Sequence, residues 1–383
     1  MNDTPPPWRV TLADNTIGEP EIDAVTAVLH SRWLSAGAVT REFEHDFAER
    51  LGVPDAVAVS SGTAALHLAV LGLGLGPGDE VVLPALSFVA AAAVATLHGA
   101  TPVFADVRSE TDLTVDPADV AALLTDHTKA VVAMHYGGYS ADLAALREIT
   151  ARRGIRLIED AAHAPVVRDG DRMLGTVGDV GCFSFFATKN VTTGEGGMVV
   201  AADQSVLDEI RLLRSHHLTR STWQRAQTGQ ADYDVDGVGL NYRPTEISSA
   251  LGRIQLGRLD RDRARRRELV AVYRDRLRRI PGLVIPFDGR DDDSAHHLMA
   301  VLLPPGSSRE EVRDTLSAAR IQTSVHYPPT HRFTRYRSVA SRALPVTERV
   351  APRLLSLPLH SRMYDADVEL VADVLDTALP RPR

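Results

Sequence analysis

The sequence predicts an α/β protein in which a mostly parallel sheet, covered by helices on both faces, is followed by a smaller α+β unit. Three observations carry that expectation. Between about residues 55 and 202, short Val-, Ile- and Phe-rich runs alternate with amphipathic stretches, the pattern of strand–helix–strand units. Polar clusters stand directly after the apolar runs. Beyond about residue 245 the alternation gives way to one long helical pattern and a few separated short runs. A chain of 383 residues is long for one core, at roughly 100–200 residues per domain. A large domain over 1–250, with an N-terminal segment, and a smaller C-terminal domain over 251–383 are expected.

In chain order the apolar runs are AVAVS, EVVLP, TPVFADV, KAVVAMH, IRLIED, GCFSFF and GGMVVAA. Each is too short for a helix and rich in residues that suit a pleated, buried surface. The segments SFVAAAAVATLHG and DLAALREITARRG lie between them as helices. In parallel sheets ligands bind beyond the carboxyl ends of the strands, where SSGT, HYGGYS, EDAAHA and ATKN fall. The arginine-rich run 258–279, RLDRDRARRRELVAVYRDRLRR, carries interleaved acids and a helical apolar period. It reads as a helix with one apolar and one solvated face rather than a binding patch. The small unit then takes PGLVIPFD, HHLMAVLLP, SREEVRDTLSAARI and DADVELVADVLDTAL.

With 42 basic against 50 acidic residues, the net charge is −8. Such a chain, without a dominant basic face, is a poor partner for nucleic acid or an anionic membrane. The single cysteine, Cys182, excludes an intramolecular disulfide and a cysteine-based zinc site, and its apolar neighbours suggest inert core. No metal is expected. The N-terminal MNDTPPPWRV lacks the basic start and apolar stretch of a signal peptide, and no run approaches the roughly 18 apolar residues of a membrane span. A cytoplasmic protein is expected.

Lys189 stands in FSFFATKNVTTGEGG, directly after a strand and before a glycine-rich turn. Desolvation there can strip its charge, and a neutral amine forms an imine with an aldehyde. Taken alone, a lysine in such a place is more often a solvated loop end, and its surroundings reverse that reading. Upstream, IRLIED ends in Glu159 and Asp160, with His163 three residues on. A carboxylate at the end of a buried strand needs a partner. The protonated pyridine nitrogen of pyridoxal phosphate is one such partner, and helix capping by Asp160 is the alternative. His163 could face that cofactor's phenolic oxygen or simply pack. Ser60, Ser61, Gly62 and Thr63 open an amphipathic helix after AVAV, a ready anion site for a phosphate, though such residues cap helices everywhere. The three pieces together supply a phosphate cup, a ring-nitrogen acid and an imine lysine.

At this point the chain resembles the DegT/StrS family of sugar aminotransferases, fold type I pyridoxal-phosphate enzymes acting mostly on nucleotide-linked keto sugars. The likeness covers essentially the whole chain. It runs from SRWLSAGAVTREFEHDFAERLGV through SSGTAALHLAV, GDEVVLPALSFVA, TPVFADV, EDAAHA and FSFFATKNVTTGEGG to GLNYRPTEISSALGRIQL, VHYPPTH and LSLPLH. It implies that Lys189 is the Schiff-base lysine and proton shuttle, that Asp160 pairs with the pyridine nitrogen and that His163 stands beside the phenolic oxygen. Gly62, Thr63 and Ser184 would hold the phosphate, and Phe88 would stack on the ring unless it is ordinary core. Asn241, from GLNYRPTE, resembles the asparagine that reaches the phosphate of the neighbouring subunit, which implies a homodimer with shared active sites. A turn or capping role is its alternative.

The implied reaction moves an amino group from L-glutamate through pyridoxamine phosphate to a ketone on a sugar. The TTGEGG turn looks more like members that aminate carbon 4 of nucleotide-linked 4-keto-6-deoxyhexoses, with 3-keto sugars and keto-cyclitols left open. Trp33, Ser35, Tyr136, His217, Arg220, His326 and Tyr327 are candidate contacts for the sugar nucleotide, each with a plain packing or surface reading beside it. Members with histidine in place of the lysine act as dehydratases, and Lys189 argues against that branch. A regulatory protein that kept the fold and lost the chemistry is the remaining rival, and intact Lys189, Asp160 and Ser184 argue against it.

Overall fold

The computed structural model describes residues 8–290, 293–339 and 342–379. The first seven residues, on which part of the leader reading rests, lie outside the described residues.

Two N-terminal helices, α1 (Glu19–Ser31) and α2 (Ala38–Leu51), precede the sheet. Its elements then alternate as read: β1 (Val57–Val59), α3 (Gly62–Gly72), β2 (Glu80–Pro84), α4 (Ala90–Leu97), β3 (Thr101–Ala105), α5 (Pro117–Leu123), β4 (Thr128–Met134), α6 (Leu143–Ala151) and β5 (Arg156–Asp160). A short hairpin, β6 (Arg168–Asp169) and β7 (Arg172–Met173), leads to β8 (Val180–Ser184) and β9 (Gly197–Ala201). The seven-stranded sheet has the order β1-β9-β8-β5-β4-β2-β3. Within it β9 runs against both neighbours, β8 and β1, and every other pairing is parallel.

Side chains alternate between the two faces, as the two-residue period of a strand requires. Val57, Val59, Cys182 and Val199 pack toward α3, α4 and α7 (Gln204–Leu213). Ala58, Phe183, Met198 and Val200 face Phe43 and Phe47 of α2 on the other side. Burial on both faces explains why these strands read as continuous apolar runs.

After α8 (Thr222–Thr228), the 32-residue α9 (Glu246–Leu277) crosses residue 250 without a break. Its first half sends Leu256 and Leu259 into the core beneath the sheet. Its second half sends Leu269, Val270, Tyr273 and Leu277 into a separate core. That core is completed by β10 (Met299–Leu302), α10 (Arg309–Ala318), β11 (Leu354–Leu357) and α12 (Asp365–Ala378), with the short α11 (Pro345–Val350) ahead of β11. The expected solvated face of this helix is only partial. Arg266 and Arg274 are buried, because two cores cover α9, and they donate to the carbonyls of Leu359 and Phe287, both at 2.9 Å.

Candidate active site

The carboxyl ends of β1, β4, β5 and β8 converge on a cavity of about 460 Å³. At one end, Ser61 caps α3 by accepting from the N–H of Ala64 at 3.0 Å. The first N–H groups of a helix have no intrahelical partner, so those of Gly62 and Thr63 remain for an anion, and the helix dipole favours one. Ser184, the last residue of β8, adds a hydroxyl on the same wall. Glycine at 62 permits this closeness, since a Cβ there would lie 2.7 Å from that of Ser184.

Two carboxylates end β5, and their surroundings separate them. Glu159 is saturated: it meets Nε2 of His135 at 3.0 Å and the N–H groups of Gly175, Val177 and Gly178 at 2.6–2.7 Å. Burial would raise its pKa, but the His135 contact and these N–H groups outweigh it and the net direction is down. Asp160 lines the cavity and, among the described residues, receives one hydrogen bond, from Ala162 N–H at 3.1 Å. Burial therefore drives its pKa up, against a smaller pull from that bond and from Lys189. The segment after it is a turn rather than a helix, so a helix cap is not its role. A buried carboxylate short of donors fits a cationic ring nitrogen.

Lys189 reaches the same cavity from the turn after β8. The residue is half-buried, and desolvation lowers the pKa of its amine from 10.5 to about 8, with Asp160 pulling the other way. A neutral amine is thereby available near neutral pH. Phe88 is 52 % exposed on the cavity rim, which removes the core-packing reading and leaves an open aromatic face.

The opposite wall comes from the α+β unit and its neighbours. The N–H of Gly137 donates to Nδ1 of His163 at 3.2 Å, so that histidine carries its proton on Nε2 and gives it to the Tyr327 hydroxyl at 2.8 Å. Burial keeps His163 neutral, its pKa well below the ordinary value. Tyr327 itself lines the cavity. His326 also lines it, held by Ser356 at 2.9 Å from Nδ1.

The remaining sequence candidates lie outside this cavity in the single chain. Tyr136 is 1 % exposed and spends its hydroxyl on the carbonyl of His326, so it supports the wall without reaching ligand. Trp33 packs edge-on against Trp223 at 4.9 Å, and Ser35 with Trp223 borders a second hollow of about 200 Å³. His217 sits between Asp236 at 2.6 Å and Glu209 at 3.1 Å, and Arg220 pairs with Gln230. Asn241 is exposed, bridged through its backbone to Ser215. Sequence reading passed over Asn190, Glu195 and His297. His297 and Glu195 line the cavity, and Asn190 holds His297. The doublet in HHLM, just before a strand, was the available signal for His297.

Residues 15–376 match the model of the DegT/DnrJ/EryC1/StrS aminotransferase family. The chain belongs to this family. It is 40 % identical to the spore coat polysaccharide biosynthesis protein SpsC of Bacillus subtilis (strain 168), over 94 % of each chain. Among solved structures, it is 37 % identical to the aminotransferase TlmJ from Streptoalloteichus hindustanus, with a TM-score of 0.89 and coverage of 96 % and 98 % of the two chains. It also matches DesI, solved in the presence of its TDP-sugar product, at 33 % identity, TM-score 0.87 and coverage of 97 % and 92 %. Structural neighbours have been solved with pyridoxal phosphate and with pyridoxamine phosphate. This DegT/StrS protein is a pyridoxal-phosphate-dependent sugar aminotransferase. The unpaired N–H groups of α3, the donor-poor carboxylate of Asp160, the amine of Lys189 and the open face of Phe88 fit that cofactor from phosphate to aldehyde.

Proposed function

We propose that the enzyme transfers the amino group of L-glutamate to a nucleotide-linked 4-keto-6-deoxyhexose. The observation that carries this reading is the convergence of Lys189, Asp160 and the α3 N-terminus in one cavity, together with the TDP-sugar found with DesI. Pyridoxal phosphate supplies the aldehyde and an electron-accepting ring. Lys189 would hold the cofactor's aldehyde and, once free, move a proton at the donor's α-carbon. Asp160, as an anion, keeps the ring nitrogen protonated, and Gly62, Thr63 and Ser184 hold the phosphate. The His163–Tyr327 pair would serve the phenolic oxygen, and Phe88 would stack on the ring.

Sharing of sites across a homodimer belongs to the same reading. Trp33, Ser35, Arg220 and Asn241 fall outside their own cavity, yet Ser35 borders a hollow with Leu218, Trp223 and Arg243, and Trp33 packs against Trp223 of that hollow. A two-fold axis would carry these groups to the partner's cavity, Asn241 toward the phosphate and the others, with His217, toward the nucleotide. The large domain of 1–250 then holds the cofactor, and the domain of 251–383 supplies His297, His326 and Tyr327. The test is mass spectrometry of products from a panel of nucleotide-linked 3-keto and 4-keto sugars and keto-inositols with glutamate. Amination of the 4-keto-6-deoxyhexose alone is expected, and exclusive amination of a 3-keto sugar or a cyclitol would overturn the substrate assignment.

A further inference from the structure

We infer that His297 is a substrate-binding residue whose Nε2, kept free of a proton by Asn190, accepts a hydrogen bond from a hydroxyl of the sugar. This rests on the reading of a keto sugar as amino acceptor. The side-chain amide of Asn190 donates to the carbonyl of Ala295 at 2.6 Å. A carbonyl accepts only, so the nitrogen of that amide must point there and Oδ1 must point the other way. Oδ1 lies 3.0 Å from Nδ1 of His297. Oxygen and nitrogen can bond there only if Nδ1 carries the proton, which leaves Nε2 as a bare acceptor in a neutral ring.

The ring lines the catalytic cavity, 4.3 Å from that of His163 and tilted 41° to it. Among the described residues Nε2 has no partner. Burial, with His163 and Lys189 nearby, holds the pKa of His297 well below its ordinary value, which favours the neutral ring that the Asn190 geometry requires. The other two histidines on this wall are different. His163 presents Nε2–H to Tyr327, and the Ser356 hydroxyl beside His326 can donate or accept.

A bare acceptor selects its ligand chemistry. Once the amine of glutamate is engaged, that donor offers only carboxylate oxygens, whose lone pairs repel the lone pair of Nε2. A keto sugar offers hydroxyl protons. His297 therefore serves the second half of the reaction, in which the amino group passes to the sugar. Because Asn190 follows Lys189 directly, the same amide ties the lysine turn to the 295–297 segment of the other unit.

The two half-reactions can be followed separately by cofactor absorbance, with L-glutamate on one side and a dTDP-4-keto-6-deoxyhexose on the other. His297→Phe keeps a ring of similar size and removes the acceptor. It is expected to weaken the sugar half-reaction roughly ten-fold more than the glutamate half-reaction, the worth of one hydrogen bond. Nitrogen-15 NMR of the wild-type holoenzyme should show His297 protonated at Nδ1 and bare at Nε2, and Asn190→Ala should release that preference. Equal losses in both half-reactions, no loss in either, or a protonated Nε2 in the wild type would each overturn the inference. A wild type that reacts with glutamate but not with the sugar contradicts the substrate assignment instead, and the nitrogen shifts then decide the state of His297 alone.

Discussion

Nε2 of His163 lies 2.8 Å from the hydroxyl of Tyr327, while Gly137 occupies the other ring nitrogen. A tyrosine from a distant segment thus completes a histidine that follows the acid of β5 by three residues, and the proton direction along the chain Gly137–His163–Tyr327 is fixed. Tyr327→Phe strands the Nε2–H of a buried ring. Loss of about 1–3 kcal/mol of stability is expected in denaturant unfolding of the cofactor-free protein, together with slower turnover. Unchanged stability would show that His163 finds another acceptor.

Asp160→Asn replaces an anion by an amide that cannot hold the ring nitrogen protonated. Turnover should fall by roughly 100-fold or more, while pyridoxal phosphate still binds through the α3 N-terminus and Lys189. The check is kcat alongside the absorbance of the bound cofactor. Near-normal turnover would reduce Asp160 to a turn former through its bond to Ala162.

The amine of Lys189 should govern how fast the cofactor-free protein captures pyridoxal phosphate, with a midpoint near pH 8 where desolvation has moved it. The sign for stability follows from linkage. The unfolded chain, with its lysine at 10.5, binds more protons than the folded one between pH 8 and 10.5. The cost of burying the charged form is thus fully present below pH 8 and fades as pH rises through that window. A capture midpoint above pH 10 would place the amine in water.

Asn241 is tested by mixing lesions. If it serves the partner's site, heterodimers of Lys189→Ala and Asn241→Ala chains put both defects in one site and none in the other. Partial recovery over either parent is then expected after verified subunit exchange, and recovery no greater than in the parents contradicts sharing.

The alternation of strands and helices and the candidates Lys189, Asp160, His163 and Gly62 were legible because each is local, a short apolar run and then its polar end, whereas Ser184 came only with the family resemblance. The reversed direction of β9 was not, since GGMVVAA has the composition of its parallel neighbours and orientation depends on the returning turn. The buried arginines of α9 escaped for a related reason. Their helix is covered by two cores that its own sequence does not mention. His297 lies 107 residues from Asn190, and only the tertiary fold turns that asparagine from a loop residue into the group that sets a histidine's proton. Within one chain Trp33 and His217 meet Trp223, Glu209 and Asp236, contacts between distant segments that no local pattern announces.

The chain has two lysines, and this makes one measurement decisive. Lys129 is exposed, with its Nζ on the carbonyl of Asp126, whereas Lys189 lines the cavity. Borohydride reduction of the holoenzyme followed by peptide mass spectrometry should find the cofactor's mass on the peptide carrying Lys189, and Lys189→Ala should abolish that label. Label on Lys129, or none on either lysine in a protein that still transaminates, would contradict the assignment of Lys189 as the cofactor-bearing residue.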